Sequence, residues 1–143
     1  MEKEIYFDMD GTIADLYSDP DWLSKLRAFD PSPYVLAAPL MNMSRLARLL
    51  HRAQKHGYKV FVLSWRSKET NDEYDEAVTN AKLDWLARHL PSVEWDGIFI
   101  TAYGVPKHSI GSGVLFDDNE TVREGWGEGA YTPDEIFEIL AGL

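Results

Sequence analysis

Short apolar runs alternate along the chain with longer segments in which apolar residues recur every three or four positions. A short run rich in β-branched and aromatic residues predicts a buried strand, and the wider spacing predicts an amphipathic helix. The predicted strands cover residues 5–7, 59–64, 97–101, 113–116 and, as a short fifth strand, 129–131. The predicted helices cover residues 40–56, 68–89 and 132–140, with a shorter helix from about residue 19 to about residue 29.

Strands that alternate with helices in this way are typical of βαβ units. We therefore predict an α/β fold with three layers, in which helices cover a parallel sheet of about five strands. The length of 143 residues is that of a single domain. Residues 16–39 interrupt the alternation and form a predicted small insertion. Within it, Asp19 is a candidate N-cap before Pro20, and residues 30–33 are typical of a turn.

The first predicted strand runs directly into two acids, Asp8 and Asp10, and Gly11 follows them. Side chains alternate between the faces of a strand, so residues two positions apart point the same way. A buried carboxylate without a partner is costly, and ligands of open α/β sheets bind at the carboxyl ends of the strands. The two acids are therefore a candidate site. The alternative is an ordinary Asx-type turn from Asp10 to Thr12.

Polar side chains also stand near the ends of later strands. Ser64 ends the second strand, Asp117 and Asp118 follow the fourth, and Lys107 precedes the fourth. Each has a simpler alternative explanation: a turn serine, a surface lysine, and two acids that cap a helix beginning near Asn119. None of these residues indicates a site by itself.

Residues 8–13, Asp-Met-Asp-Gly-Thr-Ile, resemble the first motif of the haloacid dehalogenase-like phosphohydrolases. Ser64, Lys107, Asp117 and Asp118 follow in the order of that family's other motifs. The resemblance implies a Rossmann-like α/β/α fold whose first strand lies between the second and the fourth. It would bring the ends of these strands together at a topological switch point.

The resemblance also implies roles for the first motif. Asp8 would be the nucleophile that forms an aspartyl-phosphate, and Asp10 the general acid and base. Gly11 and Thr12 would bind the phosphate, with the backbone N–H groups that follow Asp8 positioning it. A weak carboxylate nucleophile needs an electrophile that a metal activates.

The implied cofactor is Mg²⁺. The family pattern places it on the carboxylates of Asp8 and Asp117 and on the backbone carbonyl of Asp10. Asp118 would be a further ligand or an outer-sphere partner, and which of the two adjacent acids touches the metal stays open. Mg²⁺ takes a few carboxylates together with waters and phosphate oxygens, which fits this set.

Three further implications concern the surroundings of the phosphate. The Ser64 hydroxyl would hold a phosphoryl oxygen. Lys107 would neutralise the phosphate and the nucleophile, and Lys68 is the rival candidate. Insertions such as residues 16–39 form a cap over the site in the family, so this segment is either a minimal cap or an ordinary connection.

Residues 8–15 are similar to the first motif of 5′-nucleotidases of the deoxyribonucleotidase type. Trp65 and Arg66 follow the second strand and depart from that type's pattern. If the substrate is a nucleotide, Trp65 could stack on its base and Arg66 could bind a phosphate oxygen. The alternative is that Trp65 packs into the core and Arg66 pairs with an acid such as Glu69 or Asp72.

Composition narrows the choice of partners and surroundings. The net charge of −10 disfavours nucleic-acid polymers and anionic membranes. The absence of cysteine excludes disulfides, thiolate catalysis and cysteine-bound zinc. Residues 1–4 lead straight into the first strand, and no apolar run approaches a membrane span, so we expect no signal peptide and a cytoplasmic location.

We therefore predict a Mg²⁺-dependent phosphomonoester hydrolase that acts on a small phosphorylated metabolite, with nucleoside monophosphates as one substrate class. One alternative is phosphoryl transfer to an acceptor other than water. Another is a phosphate-binding or regulatory module without catalysis, because a fold does not fix a function. The second acid of the first motif favours an enzyme, since metal binding alone does not need a general acid.

Overall fold

The structure is a computed structural model that describes residues 3–143. Met1 and Glu2 lie outside the described residues. The prediction that residues 1–4 contain no signal peptide therefore falls partly on residues that the structure does not describe. The described residues contain seven strands: β1 (Glu4–Phe7), β2 (Ala14–Asp15), β3 (Ala38–Pro39), β4 (Lys59–Trp65), β5 (Gly97–Thr101), β6 (Val114–Phe116) and β7 (Ala130–Tyr131).

Residues 3–143 also contain six α-helices: α1 (Trp22–Arg27), α2 (Ser32–Leu36), α3 (Met43–Lys55), α4 (Asp72–His89), α5 (Glu120–Trp126) and α6 (Ile136–Ala141). Asn42, Asn71 and Asn119 cap α3, α4 and α5, and each accepts a hydrogen bond from the backbone N–H three residues later. These caps explain why α3 and α4 begin a few residues after the predicted starts. None of the helices in this part of the chain is long and apolar enough to cross a bilayer.

In the described part of the chain, five strands form one parallel sheet in the order β5-β4-β1-β6-β7. Strand β1 is central, and Phe7 pairs in register with Val62 on one side and with Phe116 on the other. The residues that follow β1 and β6 therefore emerge side by side at the carboxyl edge. This is the strand order that the family resemblance implies, and the predicted α/β fold is confirmed.

Buried side chains cover both faces of the sheet. On one face Ile5 and Phe7 belong to a cluster with residues of α3, α4 and α6, among them Leu46, Trp85 and Leu140. On the other face a smaller cluster joins the sheet to α5: Tyr6, Phe61, Leu63 and Leu115, with Val122 and Trp126 beside them. Helices that pack on the two faces of the sheet through apolar contacts thus form the outer two of the three predicted layers.

The insertion differs in detail from its prediction. Helix α1 begins at Trp22, and Asp19 is not its N-cap: Asp19 instead accepts hydrogen bonds from the Asp21 N–H and from Lys25 Nζ. Residues 32–36, part of which we predicted as a turn, form α2. Proline is tolerated in the first turn of a helix, because the N–H that it lacks would be unbonded there anyway.

Strands β2 and β3 pair antiparallel and join the two ends of the insertion. Ala14 lies opposite Pro39, and Asp15 lies opposite Ala38. The intervening segment therefore leaves and re-enters the fold at one place, just after the loop that follows β1. Its position relative to the site is described below.

Candidate active site

Three acids converge at the carboxyl edge of the sheet. Asp8 follows β1, and Asp117 and Asp118 follow β6. One carboxylate oxygen from each lies within 4.8 Å of the others. Asp8 and Asp117 are buried, whereas Asp118 is exposed. The parallel pairing of β1 with β6 thus produces the cluster that the strand ends predict.

Lys107 neutralises part of this cluster. It lies on a 3-10 turn, Lys107–Ser109, and its Nζ is 3.1 Å from Asp8 Oδ1 and 2.6 Å from Asp117 Oδ2. Burial lowers the pKa of Lys107, but Asp8 and Asp117 outweigh that effect and the net pKa is raised. Lys68 is exposed, with its Nζ 5.9 Å from the Tyr103 ring centroid. Of the two candidate lysines, the geometry favours Lys107 as the countercharge.

The loop after β1 brings the first motif against Asp118. Thr12 Oγ1 donates a hydrogen bond to Asp8 Oδ2 at 3.0 Å and accepts one from the Asp118 N–H at 3.1 Å. Gly11 has a φ of +78°, and a Cβ there would lie 2.2 Å from Asp118 Oδ2. We predicted Gly11 and Thr12 as phosphate-binding residues. That role stays a prediction; in this structure the buried Thr12 side chain orients the Asp8 carboxylate, and Gly11 permits the close approach of Asp118.

Asp10 and Ser64 meet at a lysine that sequence reasoning missed. Lys82 Nζ, on α4, lies 2.8 Å from Asp10 Oδ2 and 2.6 Å from Ser64 Oγ. Burial raises the pKa of Asp10, and the Lys82 ammonium opposes that shift because it favours the carboxylate. Ser64 has no exposed surface. Because the buried Ser64 hydroxyl faces Lys82, this geometry does not support the direct phosphate contact that we predicted for Ser64.

A signal for Lys82 does exist in the sequence. Lys82 follows Tyr74 and Val78 at the four-residue spacing that places all three on one face of a helix, and that face is buried. A lysine within an apolar helical stripe is a candidate buried charge. Periodicity alone does not reveal which acid it meets.

The cluster opens into a cleft of about 340 Å³. Asp8, Asp10 and Lys107 lie among its walls, and the insertion contributes residues of both its helices. The cleft is rich in aromatic side chains, namely Tyr17, Trp22, Tyr34, Trp65 and Tyr103. The insertion therefore lies beside the acids, in the position that a small cap would occupy.

Trp65 and Arg66 have different roles in the cleft wall. The half-buried Trp65 donates from Nε1 to the Val105 carbonyl at 2.8 Å, and its ring centroid lies 5.1 Å from Lys107 Nζ. Arg66 donates from Nη1 to the Ile100 carbonyl, and its Nε is 3.5 Å from Asp75 Oδ1. The phosphate contact proposed for Arg66 is not supported, because its guanidinium pairs with an acid as in our alternative. That acid is Asp75.

No family model and no curated protein sequence matches the chain. A solved structure does match: the crystal structure of D,D-heptose 1,7-bisphosphate phosphatase from Burkholderia thailandensis. The identity is 14%, the TM-score is 0.57, and the match covers 99% of this chain and 97% of the other. The two chains share a fold. At this identity the likeness shows the fold alone, and it assigns no activity.

The charges at the carboxyl edge fit a divalent cation. Among the described residues there, the carboxylates of Asp8, Asp10, Asp117 and Asp118 exceed the ammonium groups of the two buried lysines by two negative charges. Burial and then the charge of Asp8 raise the pKa of Asp117 to about 6 and that of Asp118 to about 7. Carboxylate oxygens are the ligands that Mg²⁺ prefers. Asp8, Asp117 and Asp118 would hold it.

Mg²⁺ should stabilise the protein more strongly at neutral pH than at acid pH. The folded-state pKa values of Asp117 and Asp118 lie above their ordinary values, so the metal-free folded state binds extra protons between about pH 4 and pH 7. The contribution of these two acids to the free energy of unfolding is fully present below that window and is lost as pH rises through it. Mg²⁺ would favour the ionised carboxylates and offset the loss. Asp117 should contribute more than the exposed Asp118, where solvent screens the charge.

The measurement is the melting temperature in EDTA and in Mg²⁺ at about pH 5 and about pH 8. We expect the increase caused by Mg²⁺ to be several degrees larger at the higher pH. Asp117→Asn is the variant that should abolish most of the difference. An equal response at both pH values would show that these acids do not bind the metal.

Lys107→Met should destabilise the metal-free protein strongly, whereas Lys68→Met should not. Removing one partner of a buried ion pair leaves an uncompensated charge and costs about 3–5 kcal/mol. A surface substitution such as Lys68→Met is worth within about 0.5 kcal/mol. Urea unfolding in EDTA measures both free energies. If both variants lose the same small amount, Lys107 is not the buried countercharge.

Proposed function

We propose that this protein is a Mg²⁺-dependent phosphomonoester hydrolase that acts through an aspartyl-phosphate on Asp8. One observation carries the proposal: Asp8 and Asp10 open into one cleft at the end of the central strand, with Lys107 beside the first carboxylate. A solved phosphatase with the same fold supports it. The arrangement brings together a nucleophile, a proton donor and a countercharge, which are the groups that such a reaction needs.

The Asp8 carboxylate attacks phosphorus, the ester P–O bond breaks, and the leaving oxygen takes a proton from Asp10. A water molecule then attacks the acyl phosphate, with Asp10 accepting its proton, and phosphate leaves as Asp8 is regenerated. Thr12 and Lys107 hold the two Asp8 oxygens through the hydrogen bonds described above. Both steps use the same pair of acids, and the proton removed from the water restores Asp10 for the next turnover.

Lys107 and the bound cation would stabilise the negative charge of the phosphoryl group. Bound Mg²⁺ supplies Lewis-acid polarisation of the phosphoryl group and neutralises its charge. Lys107 lies between Asp8 and Asp117 and keeps its charge, so it lowers the repulsion that an incoming phosphate meets. This local positive charge matters because the chain as a whole is strongly acidic.

Within this function we propose nucleoside monophosphates as the substrate class. Five aromatic side chains line the cleft, and its volume of about 340 Å³ lies in the range of small-molecule sites. The Trp65 indole is held by the Val105 carbonyl next to Lys107. A base bound near that ring would stack on a fixed surface while the phosphate reaches Asp8.

Asp8→Asn should abolish turnover and keep the fold. The change removes the nucleophilic charge but almost no volume, so kcat should fall by on the order of 10³-fold or more. The assay is phosphate release from p-nitrophenyl phosphate with Mg²⁺ and with EDTA. Asp84→Asn makes the same chemical change on an exposed part of α4 and should leave kcat unchanged.

Three results would contradict this proposal in different ways. Substantial activity of folded Asp8→Asn would reject the covalent route. Phosphate-ester binding by the wild type without turnover would indicate a binding module. Transfer of the phosphoryl group to an added alcohol in preference to water would indicate a phosphotransferase.

Trp65→Ala should raise KM for nucleoside monophosphates by roughly tenfold or more, because stacking is worth on the order of 1–3 kcal/mol per base. KM for a small alkyl phosphate, which has no base, should change little. Any effect through the neighbouring Lys107 would alter both substrates equally, so their ratio isolates stacking. Phe99→Ala, a partly exposed aromatic residue outside the cleft, is the control. Equal changes for both substrates would reject the stacking role of Trp65.

A further inference from the structure

Lys82 is buried on α4, and its side chain is 1% exposed. An ammonium group has three hydrogens to donate and no lone pair to accept. Within residues 3–143, Lys82 Nζ has three oxygen acceptors: Asp10 Oδ2 at 2.8 Å, Ser64 Oγ at 2.6 Å and the Trp65 carbonyl at 2.9 Å. The Tyr34 ring centroid lies 5.1 Å away on another side. The charge is thus fully paired at one fixed position.

This position links two neighbouring strand ends. Asp10 belongs to the loop after β1, and Ser64 and Trp65 are the last residues of β4. Two of the three acceptors are therefore held by the sheet, one as a backbone carbonyl. Because they are fixed, they fix Lys82 Nζ, and Nζ in turn fixes the Asp10 carboxylate. Ser64 contributes to this arrangement as a buried acceptor of a hydrogen bond from Lys82, which agrees with its lack of exposed surface.

The contact also distinguishes the two oxygens of Asp10. Lys82 cannot accept a hydrogen bond, so Oδ2 must be the acceptor and cannot carry a proton toward Nζ. No hydrogen bond within the described residues reaches Oδ1. The Asp10 side chain keeps 16% exposure and lines the cleft. The oxygen that Lys82 leaves unbound is therefore the one available to exchange a proton with a molecule in the cleft.

We propose that Lys82 is a positioning residue that, by binding Asp10 Oδ2 against Ser64 and the end of β4, presents Asp10 Oδ1 to the leaving oxygen of the substrate. The inference rests on the proposed hydrolase function and goes beyond it, because it assigns a role to a side chain that does not touch the substrate. It also gives Ser64 a role behind Asp10 in place of a phosphate contact.

The test compares kcat/KM of Lys82→Met for two substrates with Mg²⁺ present. This parameter covers the steps up to departure of the alcohol, so it reports the proton transfer from Asp10. A simple alkyl phosphate needs that proton, whereas p-nitrophenyl phosphate has a good leaving group and needs it less. Since general acid catalysis is worth 10²–10⁴-fold, we expect the alkyl phosphate to lose at least roughly tenfold more than the aryl phosphate. Lys55→Met, an exposed lysine on α3, is the matched control and should change neither value.

A double variant shows whether Lys82 acts through Asp10. Asp10→Asn with Lys82→Met should lose no more kcat/KM for the alkyl phosphate than Asp10→Asn alone. The double variant removes both buried charges, so it remains informative if Lys82→Met alone does not fold. Additive losses would show that Lys82 acts independently of Asp10 and would overturn the proposal.

Chemical rescue gives a third readout. The chain has no cysteine, so Lys82→Cys introduces a single thiol. Alkylation of the unfolded variant with 2-bromoethylamine, followed by refolding, restores an ammonium group of nearly the same reach. The alkyl phosphate activity should return to within a few-fold of wild type refolded in the same way. A folded, alkylated protein without recovery would contradict the proposal.

The outcomes separate this inference from the proposed function. A wild type that hydrolyses no phosphomonoester with Mg²⁺ would reject the function, and the role of Lys82 with it. An active wild type whose folded Lys82→Met variant loses equally on both substrates would reject the positioning role alone. Such a result would leave Lys82 as a purely structural charge.

Discussion

The burial of two lysines against three acids is the constraint on which the carboxyl edge of this sheet depends. Lys107 is 4% exposed and Lys82 is 1% exposed, and neither could be buried without acids within hydrogen-bonding distance. Asp8 and Asp117 face the first lysine, and Asp10 faces the second. Each acid is in turn costly to bury alone. The edge is therefore stable only as a set, and the strands must deliver all of its members together.

The sheet meets that requirement through its order. Central β1 pairs in parallel with both β4 and β6, so the chain leaves three neighbouring strands at the same level. Gly11 then allows the loop after β1 to turn back against Asp118. Lys82 enters from α4 and Lys107 from the turn before β6, so the countercharges come from opposite sides of β1. The site is thus a consequence of strand order, since no single segment contains it.

The features that could be predicted correctly from the sequence are those that depend on the local pattern of apolar and polar residues. Apolar runs and helical spacing locate the strands and most helices. The meeting of Asp8, Asp117 and Lys107 depends on a strand order that the family resemblance implied and that alternation alone does not predict. Contacts that depend on tertiary geometry could not be predicted in this way. The partners of Ser64 and Arg66 are examples: Ser64 lies at the predicted strand end, but its hydroxyl meets a lysine from a helix packed on the sheet. The family resemblance implied a phosphate contact for Ser64, and the position of Arg66 beside it suggested a second one. In this structure Ser64 contacts Lys82 and Arg66 pairs with Asp75.

The insertion is tied to the same helix that carries Lys82. Tyr34 of α2 has its hydroxyl 2.6 Å from Ser67 Oγ, and its ring belongs to a buried cluster with Tyr74 and Val78 of α4. At the end of the insertion, Trp85 Nε1 donates to the Ala37 carbonyl at 2.8 Å. Tyr74, Val78 and Trp85 of α4, together with Ser67 just before it, therefore hold the segment that forms one wall of the cleft. Because the Tyr34 ring centroid also lies 5.1 Å from Lys82 Nζ, this wall of the cleft and the lysine that pairs with Asp10 share one support. The insertion therefore packs on the helix that carries Lys82 and does not fold independently of the carboxyl edge.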